Sequence, residues 1–203
     1  MPINEINNNH CELSGTVFSD ITLSHEIYGE KFYTFVIKTE RLSGVGDLIN
    51  VIFSKNCIGS GIKRGDFISV KGQFRSYNNP TGEGSRLVLS VFAKEMATGE
   101  EIGENVNHIT LNGFLCKPPV YRLTPFGREI TDILLAVNRI HNKSDYIPCI
   151  IWGIKAREAS SLCVGDRLTV YGRIQSREYK KKTDDGETLV KTAYEVSVGR
   201  FEI

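Results

Sequence analysis

The sequence predicts an all-β protein of two tandem five-stranded barrels, each with a short helix between strands three and four. Two observations lead there. The chain repeats itself, and within each copy apolar and polar residues alternate at a strand's period between glycine-bearing turns. His10 and His108 stand 98 positions apart, as do Leu13 and Leu111, Gly15 and Gly113, Gly29 and Gly127, Arg41 and Arg139, and Asp47 and Asp145. Gly65-Asp66 and Gly165-Asp166, Val70 and Val170, and Gly72 and Gly172 follow at a spacing of 100. Turn, core and small residues keep step over more than half of each copy, which chance does not produce.

Copy one reads as strands at HCELSGTVF (10–18), FYTFVIKTER (32–41), DLINVIFS (47–54), FISVKGQFRSY (67–77) and RLVLSVFAKEM (86–96). KNCIGSGIKRGD (55–66) holds a short helix weakened by internal glycine. NNPTGEGS (78–85) is turn chemistry throughout, and the acidic ATGEEIGENV (97–106) reads as a linker. Two domains follow, at 9–96 and 107–203, with KAREASSLC (155–163) as the better helix of the second. Strands bent at central glycines Gly15, Gly72, Gly113 and Gly172 fit a closed barrel of the OB type rather than a pair of sandwiches. The expected inward set is Leu13, Phe35, Ile37, Thr39, Ile49, Val51, Phe53, Val70 and Phe74 in copy one. In copy two it is Leu111, Ile133, Leu135, Val137, Ile147, Cys149, Ile151, Val170 and Ile174.

Twenty-five Lys and Arg against 24 Asp and Glu give a net charge of +1, so any polyanion would be met by a local cluster rather than by the total. Cys11, Cys57, Cys116, Cys149 and Cys163 form no CxxC pair and read as free thiols of a reducing cytosol. No apolar run approaches the roughly 20 residues of a membrane-spanning helix. The expected location is the cytoplasm, at the nucleoid. An enzyme is the poorest reading, with no catalytic residue, metal or cofactor expected. His10, His25, His108 and His141 make no metal-binding motif. GVGD (44–47) lacks a phosphate loop's lysine, and Asp184-Asp185 with Glu187 reads as a hairpin tip.

The informative stretch is DYIPCIIWG (145–153). Alternate side chains on a strand point to opposite faces, so Ile147, Cys149 and Ile151 enter the core while Tyr146 and Trp152 share the other face. Strand four, RLTVYGRIQSREYKKK (167–182), sends Arg173, Gln175 and Arg177 outward and runs on to Tyr179 and Lys180, Lys181 and Lys182. Arg139 closes strand two, with His141 just beyond. Flat rings beside cations form a platform for bases and phosphates, each stacked base contributing about 1–3 kcal/mol. In copy one, Leu48 and Ser54 stand where copy two has Tyr146 and Trp152. Its candidates are Tyr77, Arg75 and Arg41.

NHITLNGFLCKPPVYRLTPFGREITDILLAVNR (107–139), DYIPCIIWG, VGDRLTVYGRIQSREY and TAYEVSV together resemble a bacterial single-stranded DNA-binding protein of the general replication type, and LSGTVF, YGEKFYTFVIKTER and RGDFISVKGQFRSY a diverged copy of it. The resemblance implies an OB fold and sequence-tolerant coating of single-stranded DNA in replication, recombination or repair. It implies base stacking at Tyr146, Trp152 and Tyr179, with a further position near His141. Two barrels per chain resemble the subgroup in which two chains complete a four-barrel homodimer, the alternative being a monomer whose barrels form an internal pseudo-dimer. The printed sequence ends at GRFEI (199–203) without the family's acidic tip, so no partner docking through such a tip is expected. The competing function is an assembly or adaptor module of a replication-restart or mobile-element complex, with DNA binding weak or confined to copy two. RNA is a third ligand class, because stacking does not distinguish sugars.

Overall fold

The structure is a computed structural model and describes residues 7–57, 61–78, 87–99, 105–182 and 188–203. Twelve strands among them join in one sheet. The first half contributes β1 (Asn9–Val17), β2 (Thr22–Ile27), β3 (Glu30–Glu40), β4 (Gly46–Ser54), β5 (Phe67–Asn78) and β6 (Leu87–Thr98). The second contributes β7 (Asn107–Leu115), β8 (Val120–Leu123), β9 (Glu129–Asn138), β10 (Ser144–Trp152), β11 (Arg167–Lys182) and β12 (Thr188–Glu202). The strand order is β2-β3-β4-β6-β5-β1-β7-β11-β12-β10-β9-β8, and extra β1–β3 and β7–β9 pairings turn each half back on itself.

That closure needs backbones to touch. A Cβ on Gly15 would collide with the Lys38 carbonyl, and one on Gly113 would lie 2.7 Å from the Ala136 carbonyl oxygen, at the places where β1 crosses β3 and β7 crosses β9. Gly72 and Gly172 sit at register shifts in β5 and β11, where a Cβ would strike the carbonyls of Phe92 and Ser197. Those bulges bend the strands as the sequence reading expected. Every residue of both expected inward sets is buried.

The halves differ from expectation in strand count. Each has six strands, because β2 and β8 precede the strand that the apolar alternation marks. All residues of β2 and β8 are exposed, so no alternation announces them. β2 instead turns into β3 through Tyr28 and Gly29, both at positive φ, the backbone of a tight hairpin. The weak helix of copy one is a 3₁₀ turn over Lys55–Cys57, with residues 58–60 outside the described ones. In copy two it is α1 (Ile154–Ser160), which buries Ala156 and Ala159 and is tied to β9 by the Thr131 hydroxyl donating to the Ala156 carbonyl at 2.7 Å. β6 runs to Thr98, inside the expected linker. Half of that linker, and most of the two long hairpin turns, lie outside the described residues.

The halves meet edge to edge. β1 and β7 pair antiparallel from Asn9 opposite Leu111 to Leu13 opposite Asn107, so strand one of each copy binds strand one of the other. The pairing is pseudo-symmetric about Cys11 and Ile109, both buried. His10 faces Thr110 and His108 faces Glu12 across it. Asn9 clasps Phe74 through both its amide groups, at 2.7 and 2.9 Å. Asn107 clasps Ile174 in the same way and at the same distances.

Candidate nucleic-acid interface

β10 and β11 are not neighbours; β12 runs between them. The rings of β10 and the cations of β11 are therefore separated by a strand, where the sequence reading set them side by side. Register carries the surface across: Ile150 of β10 stands opposite Ser197 of β12, and Ser197 opposite Arg173 of β11. The Trp152 indole is half-buried, its Nε1 donating to Ser197 Oγ at 3.2 Å. One edge of the ring is thus fixed to β12.

Around it opens a groove of about 770 Å³, lined by Trp152, Ile150, Arg173, Arg177, Phe126, Arg122 and Arg128 among others. The last three come from β8 and the turn joining it to β9, a hairpin the sequence reading left without a role. Phe126, at that turn, is 92% exposed, a ring that no strand pattern could flag. Arg122 is engaged by Asp132, its Nε 2.6 Å from Oδ2. Arg128, Arg173 and Arg177 have no ion-pair partner among the described residues. Burial holds the Arg173 guanidinium below its ordinary pKa, with repulsion from Arg41 adding to the effect and Asp47 opposing it. Gln175, expected to face outward, is buried and donates to Glu195 at 2.6 Å.

The other ring candidates are accessible. Tyr146 is 46% exposed, Tyr77 49% and Tyr179 36%. Tyr179 lies beyond Arg177 on the β11–β12 arm, opposite Lys191. Lys180, Lys181 and Lys182 continue that strand, and His141 lies in a 3₁₀ turn; the side chains of all four are outside the described residues.

Three arginine candidates are already engaged. Arg41 donates to both oxygens of Asp47, at 2.7 and 2.5 Å. Asp47 also accepts the Ser176 backbone N–H at 2.8 Å, and Ser176 Oγ accepts the Leu48 N–H at 3.0 Å. The mirror arrangement joins Arg139 to Asp145, Asp145 to the Ser76 N–H at 2.6 Å, and the Tyr146 N–H to Ser76 Oγ at 2.7 Å. Arg139 also donates to the Ser76 carbonyl at 2.7 Å. Each is a latch in which an Arg–Asp pair of one half holds strand four of the other. Asp47, Asp145, Ser76 and Ser176 were missed as functional pairs, although the repeat of both Arg and Asp was visible. Arg75 lies over the Phe92 ring, 4.6 Å from its centroid, and donates to Gln73 Oε1 at 2.6 Å.

Among the described residues, no group of three or more His, Cys, Asp or Glu side chains is placed to hold a metal ion. Among the same residues no helix is long and apolar enough to cross a membrane. Cys11 and Cys149 are buried, and burial pushes both thiols up, away from the reactive thiolate.

Comparison with known proteins bears on this surface. Residues 106–203 match the single-strand binding protein family. Single-stranded DNA-binding protein 2 of Listeria innocua is 35% identical over 94 residues, covering 43% of this chain and 58% of its own length. Single-stranded DNA-binding protein A of Bacillus subtilis is 34% identical over 84 residues, covering 38% of this chain and 49% of its own length. The chain thus spans about half the length of the curated relatives it matches. The crystal structure of the single-stranded DNA binding protein from Thermus aquaticus covers 96% of this chain and 91% of its own, with a TM-score of 0.74 and 22% identity. That is a likeness of fold across both halves. The second half of the chain is thus similar to the single-strand binding protein family, and the likeness of fold to the Thermus aquaticus protein extends through the first half as well.

Proposed function

We propose that the protein binds single-stranded DNA without sequence preference, coating and protecting it in replication, recombination or repair, and that it does no catalysis. The observation that carries this is the groove around Trp152, where a fixed indole and an exposed Phe126 lie among arginines of which Arg128, Arg173 and Arg177 have no ion-pair partner among the described residues. Bases stack on the rings of Trp152, Tyr146 and Tyr179, while Arg173, Arg177 and Lys180–Lys182 meet phosphates. Relatives that carry the name single-stranded DNA-binding protein over the same stretch support the ligand. We further propose that the units 9–96 and 107–203 are each a five-stranded OB barrel, with β2 and β8 as hairpin arms added to the barrel wall. The pairing of β1 with β7 gives one chain an internal pseudo-dimer, and two chains would complete a four-barrel homodimer in the bacterial cytoplasm, at the nucleoid.

The groove that stacks bases is confined to the second half in this reading. The first half's corresponding wall is filled by its own rings, which favours a scaffolding role for that wall. Titration of a fluorescein-labelled oligothymidylate tests the ligand. Binding at low salt that weakens as salt rises is expected, because phosphate contacts release counterions, with unlabelled duplex a poor competitor and an oligouridylate arm ranking RNA. No binding at low salt would refute the reading.

A further inference from the structure

At the opposite seam from Trp152 lies a smaller cavity of about 360 Å³, lined by Arg75, Lys94, Arg139, Lys143 and Asp145 with neutral amides around them. Among the described residues Arg75 and Lys143 have no ion-pair partner there, and Asp145 is already taken up by Arg139 and the Ser76 backbone N–H. We propose that this cavity holds a backbone phosphate of single-stranded DNA as the strand crosses from the second half to the first. The inference rests on the proposed ligand but places a contact in the half whose stacking wall is filled.

Three observations support it. Burial, then repulsion from Arg139, holds the Arg75 guanidinium below its ordinary pKa, and Asp145 only partly offsets them; an anion would relieve that repulsion. The surplus guanidinium also recurs at the other seam from a different position. Gln73 and Arg75 in the first half correspond to Arg173 and Gln175 in the second, so the pair is exchanged. Each seam nevertheless keeps one arginine beyond its Arg–Asp latch: Arg75 beside Arg139–Asp145, and Arg173 beside Arg41–Asp47. Finally, Tyr77, 49% exposed, shares with Gln73 and Arg75 the outward face of β5, so a ring of the first half continues the row of side chains that lines this pocket. Rings beside a cationic track suit a nucleic-acid strand better than a free anion.

The test uses the full chain with Arg75→Gln and Lys143→Ala combined; glutamine is the side chain the second half carries at the corresponding position, and Lys143 is exposed. Oligothymidylate affinity is measured against salt concentration. Each phosphate contact contributes about 0.7 to the slope of log affinity on log salt for a single strand. The double variant, which removes one phosphate contact, is expected to flatten that slope by about 0.7, and Lys143→Ala alone by less, with Trp152 quenching at saturation unchanged. A wild-type slope in a variant that melts like the wild type overturns the proposal. Inorganic pyrophosphate separates this site from the stacking reading. It is expected to raise the melting temperature of the wild type and not of the double variant, even if oligothymidylate fails to bind. An equal shift, or none, in both proteins overturns the site.

Discussion

The walls of the two halves correspond residue by residue and yet end differently. In the second half Trp152 stands opposite Ile130, and Ser197 lies between Ile150 and Arg173. In the first half Ser54 stands opposite Phe32, and Phe92 lies between Ile52 and Gln73. Phe92 packs on Phe32 at 5.9 Å, Phe32 on His25 at 4.9 Å, and Arg75 covers Phe92. Ser54, buried, is tied to Glu30. The space that is an open groove in one half is a packed aromatic cluster in the other. The same register serves both, so the strand scaffold does not require the indole. What the second half has gained by exchanging Phe92 for Ser197 is room beside a ring and an arginine facing it.

Breaking the open wall should have the largest effect. Trp152→Ala with Tyr146→Ala is expected to lower oligothymidylate affinity by about 1–3 kcal/mol per ring, while Leu48→Ala, at the position corresponding to Tyr146, leaves it near wild type in the same titration. Equal losses would mean the rings are no platform.

Filling the groove is the next test. Ser197→Phe imports the first half's plug, and affinity should fall about tenfold or more, roughly the contribution of one stacked base. Urea unfolding checks that stability is kept, and wild-type affinity in this variant would show that the strand runs elsewhere.

The converse change, Phe92→Ser, should cost about 1–3 kcal/mol of stability, below the range for a fully buried ring because Phe92 is half-buried. Chemical denaturation measures it, and no loss would deny that the cluster holds the first half's wall. The smallest effect is expected from Arg177→Gln, exposed in the groove, which should flatten the salt slope by about 0.7 and little else.

Much of the fold could be read from residues because burial leaves a period. The alternation at Ile147, Cys149 and Ile151, and at Phe35, Ile37 and Thr39, set both cores in advance, and the repeat supplied the division into halves. β2 and β8 were illegible for the converse reason: hairpin arms exposed along their whole length have no buried face to alternate with. Tyr146 and Trp152 were legible as candidates, since they sit on a face that the core does not use. Arg41 and Arg139 are instructive. They were chosen for charge, but the Asp47 and Asp145 carboxylates that engage them repeat at the same spacing, and that pairing pointed to the seam. Phe126 could not have been found, because a ring on a turn has no register until β8 and β9 are paired.

The central claim is that the indole at the heart of the groove stacks on a base. Trp152 is the only tryptophan in the chain, so its fluorescence reports that contact alone. Titration of the 203-residue chain with oligothymidylate at low salt should quench the emission progressively to saturation and recover it as salt is added. Binding detected by the labelled strand with the Trp152 emission unchanged would contradict the account.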